Sequence, residues 1–172
     1  TIPGKEEFYE TLRYFKRQIE LQPRIKLLLN RKATFEQLVS AEFDDIVVAT
    51  GVTPRQLNIP GIDHPKVLSY LDVLRERKPV GQRVAIIGAG GIGFDTAELL
   101  SHGAESGSVN PEKFYDEWGI DTDYENVGGL KPAHVEQPQR EIYLLQRKPA
   151  SVGSSLGKTT GWIHRTGLKH RH

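Results

Sequence analysis

The first clear pattern of apolar and polar positions along the chain has the period of an α-helix. Within Lys5–Leu21, large apolar residues recur at spacings of four, three and four: Phe8, Leu12, Phe15 and Ile19. Residues at these spacings share one face of a helix. We therefore predict a helix over Lys5–Leu21 that stops before Pro23, because proline rarely continues a helix.

Two short segments that follow have the length and character of strands. Ile25–Leu29 and Asp45–Ala49 are largely apolar without the alternation of a half-buried strand. Continuous apolarity is typical of strands that are covered on both faces, as in a parallel sheet. We predict a buried strand at each of these segments.

A helix start and a change of pattern mark the middle of the chain. Ser69 and Asp72 have the spacing of a capping box, and Leu68 and Val73 are placed as its hydrophobic staple. The short helix that they open should end near Lys78, before a proline. Because the composition also changes here, we predict two domains, residues 1–78 and residues 79–172.

The second predicted domain reads as strand, glycine turn and helix. Arg83–Ile87 is apolar and of strand length, Gly88–Gly93 is glycine-rich, and Phe94–Leu100 has helical character. A second strand is predicted at Glu141–Gln146 and a last helix near Thr160–Leu168. This order predicts an α/β fold with a Rossmann-like parallel sheet.

Between the two strands of this domain lies a long segment with little periodicity. Residues 101–140 are rich in Gly, Ser, Asn and Pro, and only Pro111–Trp118, opened by proline, predicts a helix. Ordinary connections are about 4–6 residues long. We therefore interpret about 101–140 as an insertion or a disordered stretch.

Composition narrows the function classes. The chain has 172 residues, a formal net charge of +1 and no cysteine, which excludes disulfides, thiolate metal sites and a cysteine nucleophile. The near-zero charge argues against a nucleic-acid partner, and no apolar run is long enough to span a membrane. We expect a cytoplasmic protein. Since methionine is absent even at position 1, we also expect the chain to be a piece of something longer.

The glycine turn carries the strongest chemical signal. Its six residues form the pattern G-x-G-x-x-G between a strand and a helix: Gly88, Ala89, Gly90, Gly91, Ile92 and Gly93. In a dinucleotide site the first glycine permits the turn, the second admits a pyrophosphate and the third allows close packing of helix and strand. The helix start then faces the phosphates. The alternative is that these glycines serve packing alone.

The end of the second strand indicates which dinucleotide is bound. An NAD site usually has a carboxylate there for the ribose hydroxyl, whereas a 2′-phosphate calls for cations. This strand is followed by Arg147 and Lys148 and by no carboxylate. We therefore predict NADP(H) rather than NAD(H). The alternative is a solvated basic pair without a ligand.

Other candidate sites are weaker. Gly153–Thr159 resembles the phosphate loop of nucleoside triphosphatases but lacks one spacer residue, so it favours a backbone nest for the coenzyme's phosphates or a helix start capped by Thr159 or Thr160. The six histidines have no ligand spacing and are interpreted as surface residues: His64, His102, His134, His164, His170 and His172. His170–His172 ends the chain and is interpreted as unordered. We predict no catalytic residue and no metal ligand.

Three stretches together resemble one enzyme family. They are His64–Leu74, Gly91–Ala97 and Gly157–Arg165. Nearly the whole chain is similar to the C-terminal part of bacterial NADPH-dependent 2,4-dienoyl-CoA reductases. This family belongs to the NADH:flavin oxidoreductase group that includes trimethylamine dehydrogenase.

The resemblance implies a division of labour. In that family an N-terminal barrel holds FMN and reduces unsaturated acyl-CoA in fatty acid oxidation, a 4Fe-4S cluster links FMN to FAD, and FAD takes a hydride from NADPH. By resemblance, residues 1–78 are part of an FAD-binding Rossmann domain, and the residues beside FAD are Ala49, Thr50, Gly51 and Pro54. Residues 79–172 are the NADP(H)-binding domain.

The resemblance also implies that parts of the enzyme are missing from this chain. The FAD-binding glycine motif, the cluster cysteines and the FMN barrel have no counterpart here, so FMN and 4Fe-4S are expected only in a missing N-terminal part. We expect the chain to bind NADP(H) weakly, to provide only a partial FAD site that does not hold FAD firmly, to partner with the barrel and to be inactive alone. Two alternatives stay open: a non-catalytic dinucleotide-sensing domain, and a related reductase that uses NADH or an amine substrate.

Overall fold

The structure, a computed structural model, describes residues 1–103 and 105–171. Its helices are α1 (Phe8–Leu21), α2 (Phe35–Ser40), α3 (Tyr70–Leu74), α4 (Gly91–Ser101), α5 (Pro111–Trp118) and α6 (Gly161–His170), and its strands are β1 (Arg83–Ile87) and β2 (Glu141–Leu145). Two compact units are formed, one by Thr1–Tyr9 with the described residues from Leu68 onward and one by Glu10–Val67. The domain division at residue 78 stays a prediction.

The two strands of the first unit pair in parallel. Their register runs from Arg83 opposite Glu141 to Ile87 opposite Leu145. A parallel pair needs a long crossover, and here the crossover contains α4 and α5. The predicted α/β class with a parallel sheet is confirmed.

The core of this unit forms where α4 covers one face of the sheet. Phe94, Ala97 and Leu100 of α4 are buried, and Leu144 of β2 lies against the start of the helix. The other sheet face is open, since the side chain of Ile87 is 70% exposed. Burial therefore alternates along both strands.

The strands predicted at Ile25–Leu29 and Asp45–Ala49 are wrong. Both segments have no regular secondary structure, and Val47 and Val48 are 88% and 79% exposed. A strand is held by hydrogen bonds to a neighbouring strand. Within the described residues 10–67 there is no second strand to supply them.

Side-chain caps fix the two short helices. The predicted capping box is confirmed: the Ser69 hydroxyl accepts from the Asp72 N–H at 3.2 Å, and the Asp72 carboxylate accepts from the Ser69 N–H at 2.7 Å. An equivalent pair, Thr34 and Gln37, opens α2, which the apolar pattern does not predict. Each cap satisfies helix-terminal N–H groups that would otherwise lack acceptors.

The segment 101–140 is more ordered than predicted. Helix α5 is confirmed with the predicted bounds and ends at Gly119 in the left-handed conformation. Beyond it, Ile120 bridges Leu130, and the Asp121 carboxylate accepts from the backbone and side chain of Asn126 at 2.8 and 2.9 Å. Turn and cap hydrogen bonds therefore order this segment without an apolar period. Ala104 lies outside the described residues.

Among residues 1–103 and 105–171, no helix combines the length and the apolarity that crossing a bilayer requires.

Candidate functional site

The glycine turn leaves the sheet at the carboxyl end of β1. The N–H of Gly88 donates to the carbonyl of Leu145 at 2.8 Å, and Gly88 has a φ of +122°, which a residue with a side chain rarely adopts. Gly90 then serves as the N-cap and α4 begins at Gly91. The helix start predicted at Phe94 is thus wrong by three residues, because the motif's last glycines already belong to the helix.

Gly93 sets the distance between helix and strand. A Cβ at this position would overlap the carbonyl oxygen of Gly88 and would lie 3.5 Å from Leu144. Only a residue without a side chain allows this approach. The geometry matches the role expected of the third glycine in a dinucleotide turn.

The outer side of the turn is open. A Cβ on Gly90 or Gly91 would meet no atom within 4 Å, whereas Ala89 is buried beneath the turn and Ile92 is half exposed. Gly90 makes no side-chain cap, and no acidic residue lies in the first turn of α4. The first N–H groups of a helix lack intrahelical acceptors and favour anions. The helix start is therefore open to an anionic group, and diphosphate binding there stays a prediction.

Arg147 and Lys148 follow β2 at the same edge of the sheet. Because the strands are parallel and Ile87 pairs with Leu145, both strands end beside the turn. The Gln146 side chain donates to the carbonyls of Lys148 (2.9 Å) and Ala150, which holds this bend. Arg147 and Lys148 are exposed and make no ion pair with any described carboxylate. They are available for a phosphate.

The loop after Lys148 packs on α4. Gly153 has a φ of +77°, and a Cβ there would lie 2.8 Å from the Phe94 ring. The helix start predicted near Thr160 is confirmed, with Thr160 as the N-cap of α6, but Thr160 makes no side-chain cap hydrogen bond. A phosphate nest in this loop stays a prediction.

The residues assigned to FAD lie in the Glu10–Val67 unit. Ala49, Thr50, Gly51 and Pro54 are exposed and have no regular secondary structure, and Gly51 has a φ of +74°. Their role beside FAD stays a prediction, as do the roles of the glycine turn, Arg147 and Lys148.

A buried charged cluster was missed by sequence reasoning. The side chains of His102, Glu117 and Arg171 are 9%, 11% and 6% exposed, so the interpretation of His102 as a surface residue is wrong. Burial lowers the pKa of His102 and raises the pKa of Glu98. The disorder predicted for His170–His172 is wrong for His170 and Arg171, and His172 lies outside the described residues. No periodic signal marks such a cluster, because its members come from α4, α5 and the end of α6.

Within the part of the chain that the structure describes, no three His, Asp or Glu side chains come together as a metal site would require. The side chains at the glycine turn are small or apolar. What this edge of the sheet offers is backbone N–H groups, open space and two cations. Such an arrangement is suited to binding and orienting an anionic coenzyme.

Comparisons with known proteins agree with this chemistry. Residues 5–150 match the family described as pyridine nucleotide-disulphide oxidoreductase, which together with the parallel sheet confirms the Rossmann-type fold. The chain is 45% identical over 76 residues to a cinnamate reductase of Clostridium sporogenes, covering 44% of this chain and 11% of that protein.

Two further relatives are a metal reductase and a bilirubin reductase. The metal reductase of Desulforamulus reducens is 31% identical over 181 residues, covering 99% of this chain and 25% of that protein. The bilirubin reductase of Mediterraneibacter gnavus is 32% identical over 99 residues, covering 58% of this chain and 15% of that protein. The chain thus spans a quarter or less of the length of each of these relatives.

Proposed function

Because the chain belongs to the pyridine nucleotide-disulphide oxidoreductase family, we propose that it is the NADPH-binding, electron-entry module of a larger flavin-dependent reductase. One observation carries the proposal. The start of α4 is open and free of acidic residues, and Arg147 and Lys148 follow the adjacent strand at the same edge of the sheet. A diphosphate and a 2′-phosphate need these two kinds of partner.

On this proposal, the residues of the glycine turn and the Arg147–Lys148 pair bind and position the coenzyme. The N–H groups at the start of α4 bind the diphosphate, and Gly90 and Gly91 let it approach the backbone. Arg147 binds the 2′-phosphate through its planar fork, and Lys148 adds a point charge. When bound, NADPH supplies the hydride that a flavin accepts. The contribution of this chain is therefore orientation and charge rather than proton transfer.

The similar proteins support an electron-entry role over a substrate-binding role. Their names give three different substrates, namely cinnamate, metal and bilirubin, yet all three share sequence with this chain. A segment shared by reductases of different substrates is suited to the step that they have in common, the uptake of electrons. On this proposal the substrate is met by another part of the protein.

The finer identity follows the family resemblance. We propose that the whole protein is a 2,4-dienoyl-CoA reductase, that Ala49, Thr50, Gly51 and Pro54 lie beside FAD, and that FMN and a 4Fe-4S cluster belong to a barrel domain outside this chain. The chain has no cysteine to ligate a cluster. We expect no reduction of 2,4-dienoyl-CoA by the purified chain with NADPH, and turnover in that assay would contradict the division of labour.

Coenzyme binding tests the central proposal. The chain is titrated with 2′-phospho-ADP-ribose and with ADP-ribose by calorimetry, and we expect tighter binding of the phosphorylated ligand. The double variant Arg147→Gln/Lys148→Gln should lose at least about tenfold in affinity for it, since each charge-assisted hydrogen bond contributes about 1.5–3 kcal/mol. Its affinity for ADP-ribose should change little.

A matched control is available in the other unit. Arg31 and Lys32 are also an adjacent, exposed Arg-Lys pair, and they belong to the unit Glu10–Val67, so Arg31→Gln/Lys32→Gln removes the same two charges from the chain without changing the unit that contains the glycine turn. This control should bind as the unmodified chain does. Equal binding of both ligands by the unmodified chain would refute the NADP preference, and binding of neither would refute the coenzyme site.

A further inference from the structure

A second cavity lies at the opposite edge of the sheet from the glycine turn. It is an open groove of about 480 Å³ where β1 and β2 begin, and its lining includes Gln82, Arg83, Gln139, Arg140, Glu141 and Arg171. A five-residue strand rises about 3.3 Å per residue, so the two edges are separated by roughly 13 Å. The groove is thus distinct from the coenzyme site proposed above.

Arg140 brings an unneutralised charge to this groove. One guanidinium nitrogen, Nη1, donates to the Leu100 carbonyl at 3.3 Å, while Nε is buried and has no acceptor among the described residues. The neighbouring Glu141 does not neutralise Arg140, because Glu141 pairs with Arg83 at 2.6 Å. Arg140 as a whole is half-buried, but its buried Nε–H group without an acceptor is costly, and most buried polar groups in native proteins have a partner.

Arg171 contributes a second donor to the same groove. Its side chain is 6% exposed, and its Nη2 contacts Nε2 of His102 at 3.0 Å and the Glu117 carboxylate at 3.5 Å. Its Nη1 is buried without an acceptor among the described residues. Two guanidinium groups that line one cavity therefore each retain a buried N–H group that an oxygen acceptor would satisfy.

We propose that this groove binds a phosphate group of a small molecule through Arg140 and Arg171. Three arginines line the groove, but Arg83 pairs with Glu141 and Arg171 contacts Glu117, so Arg140 is the arginine among them whose charge has no counterion in the described part of the chain. A phosphate group would supply that counterion together with oxygen acceptors for the buried N–H groups. Arginine forks suit phosphate oxygens, and the amides of Gln82 and Gln139 add neutral donors at the wall. Binding requires small shifts of both guanidinium groups toward the cavity.

The test uses the 172-residue chain and inorganic phosphate as the probe. Thermal unfolding is followed as phosphate is raised, with sodium chloride of equal ionic strength as the reference, because a ligand of the folded state raises the unfolding temperature in a saturable way. We expect saturable stabilisation by phosphate beyond that by chloride. A rise no larger than with chloride overturns the proposal without any variant.

Variants then locate the site. Arg140→Gln should weaken phosphate binding about tenfold or more, and Arg140→Lys, which keeps the charge without the fork, should weaken it less. Arg31→Gln, at an exposed arginine of the unit Glu10–Val67, is the matched control and should keep the response. If Arg147→Gln loses the response and Arg140→Gln keeps it, the groove is not the phosphate site.

Two further measurements distinguish phosphate binding at the groove from general anion binding and from binding at the coenzyme site. Acetate replaces phosphate in the same assay, and a response as large as that to phosphate refutes the preference for phosphate over a carboxylate. Calorimetry of Arg140→Gln with 2′-phospho-ADP-ribose should give the affinity of the unmodified chain. A loss of affinity in this variant would show that Arg140 serves the coenzyme site and would overturn the proposal of a separate groove site. If the unmodified chain binds no coenzyme, the proposed function fails, whereas the phosphate response of Arg140→Gln still decides for or against the groove.

Discussion

Gly93 and Gly88 lie so close that a Cβ on Gly93 would overlap the Gly88 carbonyl oxygen. The contact joins the first turn of α4 to the residue that directly follows β1. It involves backbone rather than a flexible side chain, so the structure has no easy way to make room. The spacing of helix and sheet at the proposed coenzyme edge therefore depends on the absence of one methyl group.

Replacing Gly93 by Ala should destabilise the fold. The added methyl forces the helix away from the strand, and overpacking of this kind costs typically about 1–3 kcal/mol. Gly91→Ala is the matched control, since its Cβ meets nothing within 4 Å. Urea unfolding of both variants checks the prediction, and equal midpoints would contradict it.

Gly153→Ala should cost more than Gly128→Ala. Both glycines have φ near +75° (+77° and +73°), so both variants carry the left-handed strain of roughly 1–2 kcal/mol. Only at Gly153 does the Cβ also meet the buried Phe94 ring. The difference in unfolding free energy between the two variants measures that contact, and an equal loss would show that the loop can shift without cost.

Asp72 should titrate far below an ordinary aspartate. Hydrogen bonds from Lys78 and Ser69 lower its pKa from 3.8 to about 2. A lowered folded-state pKa contributes stability that is present above pH 3.8 and is lost as pH falls toward 2. Carboxyl NMR titration should place the Asp72 midpoint near 2.

The variant Asp72→Asn should remove that part of the acid dependence of unfolding. Asp63→Asn, at an exposed carboxylate that makes no ion pair among the described residues, should leave it in place. A midpoint for Asp72 near 4 would show that the cap is not held by the carboxylate in solution.

Glu98→Gln should stabilise the protein at neutral pH. Burial raises the pKa of Glu98 above 4.5, and the Arg171 charge offsets this only in part. A raised carboxyl pKa means that the ionised group opposes folding at pH 7 and ceases to do so as pH falls below 4.5. The advantage of the variant should therefore shrink on acidification.

Unfolding of Glu98→Gln at pH 7 and pH 4 tests this expectation. Glu125→Gln, an exposed loop change, serves as the control and should have little effect at either pH. A destabilised Glu98→Gln at pH 7 would show that its ion pairing outweighs its desolvation.

Local signals predicted part of the fold well. β1 and α5 have the predicted bounds, and the capping box of α3 is confirmed. Each of these features is set by residues close in sequence. The box of Thr34 and Gln37 has the same spacing at the start of α2, where the apolar pattern alone predicts no helix. Conversely, α4 begins at Gly91 although glycine disfavours helices, since packing against β1 overrides propensity.

Features that depend on distant partners were not predictable. The runs Ile25–Leu29 and Asp45–Ala49 are apolar enough for strands, but hydrophobicity does not say whether a neighbouring strand exists. The cluster of His102, Glu117 and Arg171 joins residues up to 69 positions apart. At the proposed coenzyme site, the sequence shows the residue types. That the glycine turn and the Arg147–Lys148 pair lie at the same edge of the sheet follows only from the pairing register of β1 and β2.

The register of β1 and β2 also bears on the order of assembly. Arg83 and Glu141 are 58 positions apart, so forming the first ladder bonds confines a long loop before any sheet contact offsets the lost entropy. Helices close their hydrogen bonds over a few residues and form far sooner. We expect α4 to be in place before the strands meet, with strand pairing as the slow step of refolding.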